Sequence, residues 1–291
     1  MSSMGKYAPA TSFSDRFSNS EPLFLPIPGN GADHKQPLEI IRVDRFRNLC
    51  HNVELFHMER CASTMDVAWT LFDRHEFPEW SSVLADSQTT GRGQFHRPWV
   101  SETGNLFASV RLGNLDQHPA FPTFVPALAV SLALKSLGLD SEFKWPNDIL
   151  VHRKKIGGIL VENRSGVMIA GIGINLTCSP STEAMRDPRH FPPGHLKDVG
   201  LDTAPFELWA LIHETLMQVA QDSSLSCGGP DLVGQLESIM AFKDEPVVFT
   251  SPDGREFPAV LSGLTTQGGI RLKTPDGETT FFTGSFIPVV H

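Results

Sequence analysis

The sequence predicts a chain of mixed strands and helices that ends in a small all-β module. Three observations carry this expectation. Short β-rich runs alternate with helix-length periodic segments between residues 51 and 242. Four apolar runs at 143–176 are split only by turns, which predicts a meander of neighbouring strands. From Lys243 onward, short strands are punctuated by two Pro-Asp-Gly turns, the texture of a small β unit. A length of 291 residues fits one large domain and a small one, and 40% hydrophobic with 20% charged residues is ordinary globular composition.

Taken in order, residues 1–38 are rich in Ser, Pro, Gly and Asn and predict a poorly ordered N-terminal extension. No helix-turn-helix is legible there. HNVELFHME (51–59) alternates like a half-buried strand. In the next segment Ser63 is a helix N-cap, Asp66 lies three residues on, and Val67 and Leu71 share a face. SSVLADSQ (81–88) and GNLFASVRL (104–112) are strands flanking a loop. PTFVPALAVSLALKSLG (122–138) is too short and too interrupted for a membrane span and predicts a buried helix. The meander follows. Residues 205–222 form an amphipathic helix with Leu208, Leu211 and Leu216 in its apolar set, and 231–242 a second one. The expected division is 1–38 extension, 39–242 main domain and 243–291 β module.

A net charge of -9 argues against a nucleic-acid partner, so any basic site must be local. The N-terminus lacks the apolar core of a signal peptide, and no run is long enough for a membrane span. Cys50, Cys61, Cys178 and Cys227 show neither disulfide density nor metal spacing. These features predict a cytoplasmic protein with reduced thiols.

Three clusters carry chemistry. In GRGQFHRPW (91–99), Gly91 and Gly93 permit close backbone approach, Arg92 and Arg97 offer forked donors for phosphate or carboxylate, and Trp99 offers a stacking face. In KWPND…RKKIGGILVE (144–162), Lys144 ends a strand, and Asn147 and Asp148 sit at a bend. Lys155 precedes Gly157 and Gly158, strand glycines of the kind that admit a ligand. In GIGIN (171–175), Asn175 ends an apolar strand, and Leu176 stands where a dinucleotide fingerprint needs glycine. Walker A, H-E-x-x-H and G-x-S-x-G motifs are missing.

In this order the three clusters resemble the biotin–protein ligases, over roughly residues 51–290. The resemblance implies an α+β catalytic domain, like class II aminoacyl-tRNA synthetases and lipoate ligases, with a C-terminal SH3-like barrel. It lacks a DNA-binding front end, so a repressor role is not expected. It implies biotin and ATP as substrates, Mg2+, and transfer of biotin to a lysine of a biotin carboxyl carrier domain. A homodimer is compatible with it.

The match further implies that Ser63, Thr64 and Gln88 bind biotin and that Gly91, Arg92 and Gly93 cradle carboxylate and phosphate. Arg97 adds positive charge, Trp99 and Asn175 meet adenine, Lys144 faces phosphates, and Lys155 touches the carboxylate and then the acyl-phosphate. Asn147, Gly157 and Gly158 border the ligand, and Asp148 associates with magnesium or orients an amine. Lys155, Lys144, Asp148 and Arg92 are the expected catalytic set. The family loop usually reads GRGRxGRxW, so Gln94 and His96 depart from it. Two alternatives are a lipoate- or octanoate-transferring enzyme and a non-catalytic binder of biotinyl-AMP.

Overall fold

The computed structural model describes residues 23–26, 35–41, 53–113, 123–181, 191–222 and 230–289. Its main sheet contains β1 (Leu23–Pro26), β2 (Lys35–Ile41), β3 (Leu55–Cys61), β4 (Ser82–Gln88), β5 (Leu106–Arg111), β6 (Glu142–Lys144), β7 (Asp148–Val151), β8 (Lys154–Arg164) and β9 (Val167–Ile174). The spatial order is β1-β2-β3-β4-β5-β9-β8-β7-β6. Neighbours are antiparallel except β3 and β4, which run parallel around the crossover helix α1 (Thr64–Asp73). The sheet is therefore mixed, and the expected meander is the run β6 to β9.

Side-chain alternation along the strands divides the core in two. Phe56, Val83 and Ala85 face α1, where they meet Met65, Ala68, Trp69 and Leu71. Leu55, Leu84, Leu106, Ala108 and Val110 face the opposite way, toward helices α2 (Phe124–Ser136) and α3 (Pro205–Gln221). α2 is apolar nearly all round because it lies under α3 and over the sheet, so it is buried on almost every face. α3 buries Leu208, Ile212 and Leu216, whereas Leu211 is only partly covered. Its buried stripe thus follows the i, i+4 spacing through Ile212.

Two expectations change. The second helix, α4, spans Pro230–Ser238 and stops before 242. Beyond it the chain pairs with the edge strand β6: the Phe143 N–H donates to Ile239 O (2.7 Å) and the Ala241 N–H to Phe143 O (2.9 Å). An unpaired sheet edge recruits backbone that helical periodicity alone would assign to a helix. The irregular extension expected over 1–38 lies mostly outside the described residues, and where described it contains β1 and the start of β2, paired onto the edge at β3.

The tail forms a separate antiparallel sheet of β10 (Pro246–Thr250), β11 (Glu256–Leu264), β12 (Ile270–Thr274), β13 (Gly277–Phe281) and β14 (Ser285–Pro288), in the order β13-β12-β11-β10-β14. Among the described residues β13 and β14 are not paired with each other, so the hydrogen bonding is that of an open sheet. Several contacts fasten it to the main domain, among them an Arg153–Glu245 ion pair at 2.8 Å. The Trp145 indole N–H donates to Gly268 O (2.9 Å). Glu237 of α4 accepts from the Leu264 N–H (2.7 Å), Lys243 (3.0 Å) and Arg271 (3.1 Å).

Candidate active site

A cavity of about 880 Å³ opens over the middles of β5, β8 and β9 and beside the ends of β4 and β6. Ser63, Thr64, Gln88, Arg92, Gly93, Arg97, Trp99, Lys144, Asn147, Asp148, Lys155, Gly158 and Asn175 all line it. Thus residues from three separate sequence clusters converge on one space.

One end of the cavity is a chain of uncharged polar groups. Ser63 caps α1, its Oγ accepting from the Met65 N–H (3.3 Å). The Thr64 N–H donates to Gln88 Oε1 (2.8 Å), and its hydroxyl lies 2.9 Å from the buried Ser109 hydroxyl. Gln88 Nε2 donates to Ser101 Oγ (2.9 Å), which donates to Trp99 O (3.1 Å). Such a linked set suits a neutral ring with both donors and acceptors, because burying it half-satisfied would be costly.

The other end is cationic. Lys155 Nζ sits 2.6 Å from Asp148 Oδ1, and Lys144 Nζ 3.6 Å from Asp148 Oδ2. Burial pushes the Lys144 ammonium below its ordinary value; Asp148 opposes this, while Lys155 and Arg97 add to it. Burial also works against the Asp148 carboxylate, but Lys155 and Lys144 outweigh it and hold its carboxyl below the usual carboxylate range. The cluster carries two lysine charges against one carboxylate and is poised for an anion.

Several of the expected site residues have partners within the protein. Both oxygens of Asp148 face lysine, and the described residues contain no group of three or more His, Cys, Asp or Glu able to hold a metal. Asp148 is thus paired with two ammonium groups. Arg92 does not reach freely into the cavity: Nη1 pairs with Asp66 (2.7 Å), and Nε and Nη2 donate to Glu162 Oε1 (3.2 and 3.0 Å). The other Glu162 oxygen accepts from the Trp69 indole (2.7 Å). Asn147 Nδ2 donates to Ile159 O (2.9 Å), fixing the bend against β8, and Asn175 Nδ2 donates to Gly194 O (3.0 Å).

Gly91 and Gly157 do not line the cavity. A Cβ on Gly91 would meet Ser101 Oγ at 2.5 Å and Trp99 O at 2.8 Å, so glycine there lets the loop fold back on itself. Gly158 borders the cavity but is covered by Trp99, whose ring would lie 3.1 Å from an added Cβ. Gly173 is tighter still, at 2.8 Å from Trp99 Nε1 and Cε2. The Trp99 indole nitrogen is buried and has no hydrogen-bond partner among the described residues.

Residues at or beside the cavity without an earlier site assignment are Ser109, Asp66, Glu162, Phe191 and the tail segments Thr250–Pro252 and 283–285. Asp66 and Glu162 stand inside segments already singled out, but nothing in their spacing marks them as partners of Arg92.

The mixed sheet thus carries a helix-capped polar pocket at one end of the cavity and a lysine–aspartate–lysine cluster at the other. Residues 57–179 match the model of the biotin/lipoate A/B protein ligase family. The bifunctional ligase/repressor BirA of Bacillus subtilis (strain 168) is 36% identical over 137 residues, 44% of this chain and 42% of that protein. The chain's match thus spans less than half the length of that relative. BirA of Salmonella typhimurium is 26% identical over 261 residues, covering 85% of this chain and 78% of the relative. The biotin protein ligase from Aquifex aeolicus, solved in complex with biotin and ATP, superposes with a TM-score of 0.66 at 26% identity, over 80% of this chain and 97% of the other.

Proposed function

We propose that this chain is a biotin–protein ligase that forms biotinyl-AMP from biotin and ATP and passes the biotinyl group to a lysine of a carboxylase carrier domain. The carrying observation is that two lysine ammonium groups on one buried carboxylate share a cavity with the Ser63–Thr64–Gln88 polar chain. The biotin ring would exchange hydrogen bonds with Ser63, Thr64 and Gln88, and its valerate tail would point its carboxylate toward Lys155. A carboxylate oxygen attacks the α-phosphorus as the bond to the pyrophosphate oxygen breaks. Two anions must meet in this step, and Lys144, Lys155 and Arg97 lower their repulsion. The acceptor amine then attacks the acyl carbon, loses its proton, and AMP departs.

Magnesium enters this reading as part of the substrate, MgATP, because Asp148 is already saturated by lysine. Trp99, held against Gly158 and Gly173, would meet the adenine with its ring. The same reading takes the main sheet as class II synthetase-like, the tail as an SH3-like unit, and the setting as cytoplasmic.

Biotin-dependent exchange of labelled pyrophosphate into ATP tests the first step, and a mass gain on the lysine of a carrier domain tests the second. Exchange with lipoate but not biotin would reassign the substrate. Binding of biotinyl-AMP without exchange would make the chain a binder.

A further inference from the structure

Resting on the ligase reading, we propose that Phe286 of the C-terminal sheet is a positioning residue, whose ring, together with that of Phe191, holds the Lys144 ammonium at the cavity. Lys144 is 6% exposed, yet its carboxylate contact at 3.6 Å is a full ångström longer than that of Lys155. The shorter of the two Asp148 contacts goes to Lys155. What faces Lys144 otherwise is aromatic: its Nζ lies 4.9 Å from the Phe286 centroid and 5.2 Å from that of Phe191. The remaining charged neighbours, Lys155 on β8 and Arg97 on the loop, repel it. The two rings are thus the attractive partners that do not compete with an incoming phosphate for the same charge.

Phe286 is itself fixed. It is 1% exposed, pairs in register with Phe249 across β10 and β14, and meets Phe242 edge-on at 6.1 Å. The residues just before it, Thr283, Gly284 and Ser285, line the cavity. A tail that the sequence presents as an appended module therefore supplies one wall of the cationic centre. An ammonium held by ring faces keeps its position without a short salt bridge, so it can turn to a phosphate oxygen at little cost.

The test replaces Phe286 with 4-fluoro- and 3,4,5-trifluorophenylalanine, which keep the ring's shape while draining its face of negative charge, and adds Phe286→Leu. Biotin-dependent pyrophosphate exchange gives kcat and KM, and thermal melting is followed alongside. The expected result is a stepwise fall in kcat with fluorination, reaching about 3- to 30-fold, with the KM for biotin unchanged. A trifluoro variant equal to wild type, while Phe286→Leu falls, would show packing alone and overturn the proposal. Should the wild-type chain show no exchange, the ligase reading fails separately. Calorimetric binding of MgATP then decides: equal affinity for wild type and the trifluoro variant overturns the positioning role, and stepwise weakening supports it.

Discussion

Replacing Asp148 by asparagine should both destabilise the chain and disperse its cationic centre. The side chain of Asp148 is 13% exposed and carries two ammonium groups at 2.6 and 3.6 Å. At an effective dielectric constant near 20, those attractions amount to about 6 and about 5 kcal/mol before desolvation is subtracted. What remains measurable when one member of a buried ion cluster is neutralised is about 3–5 kcal/mol, because the partner charges stay behind uncompensated. For a chain of this size that corresponds to a melting point lowered by roughly 6–12 °C. The assay is thermal unfolding of wild type, Asp148→Asn, Lys155→Met and the double variant at neutral pH. The double variant should recover part of the loss, since it removes the stranded ammonium. A melting point for Asp148→Asn within 2 °C of wild type, a threshold set well below that roughly 6–12 °C shift, would refute the reasoning.

The same carboxylate gives a pH dependence. Its folded value lies below 3.8, so the unfolded chain takes up the proton more readily, and the stability it contributes is complete above 3.8 and lost as pH falls through the folded value. Urea midpoints between neutral and acid pH should accordingly fall less steeply for Asp148→Asn than for wild type. Gly173→Ala sets a Cβ 2.8 Å from the Trp99 indole. The strain of about 1–3 kcal/mol should push Trp99 off the sheet, change its fluorescence and raise the KM for ATP, whereas Gly158→Ala, with 3.1 Å available, should do less. Gln94 lines the cavity where the resembling family has arginine. Gln94→Arg should add a charge-assisted hydrogen bond of about 1.5–3 kcal/mol and slow dissociation of the adenylate at least tenfold, read by stopped-flow; equal off-rates would discard the idea.

Much of the fold is legible because its signals are local. The Ser63 cap, the strand expected in 51–59 and the Pro-Asp-Gly turns each depend on neighbours within a few residues. The convergence of the three clusters is also visible, since their residue types share one chemistry. What escapes is pairing across distance. Arg92 and Glu162 are 70 residues apart, and an arginine in a glycine-rich loop reads as a ligand donor until a carboxylate is found beside it. Asp148 reads as a carboxylate for magnesium or for an amine, and the sequence leaves the two open for the same reason: its lysines lie at 144 and 155, and only the bend at 146–147 and the β7–β8 pairing bring both onto it. The end of α4 is lost to an edge strand nearly a hundred positions earlier, a demand that no periodicity in 231–242 encodes.

The parallel alignment of β3 with β4 has an architectural consequence. Because the two strands point the same way, with Cys61 level with Gln88, Thr64 and Gln88 emerge at one rim although a whole helix and its return loop intervene. Only the exposed start of that return segment, residues 74–76, could grow or shrink without moving either partner, because Phe77, Trp80 and Ser81 are buried and anchor the chain ahead of β4. The polar corner is thereby insulated from length variation at that one exposed turn.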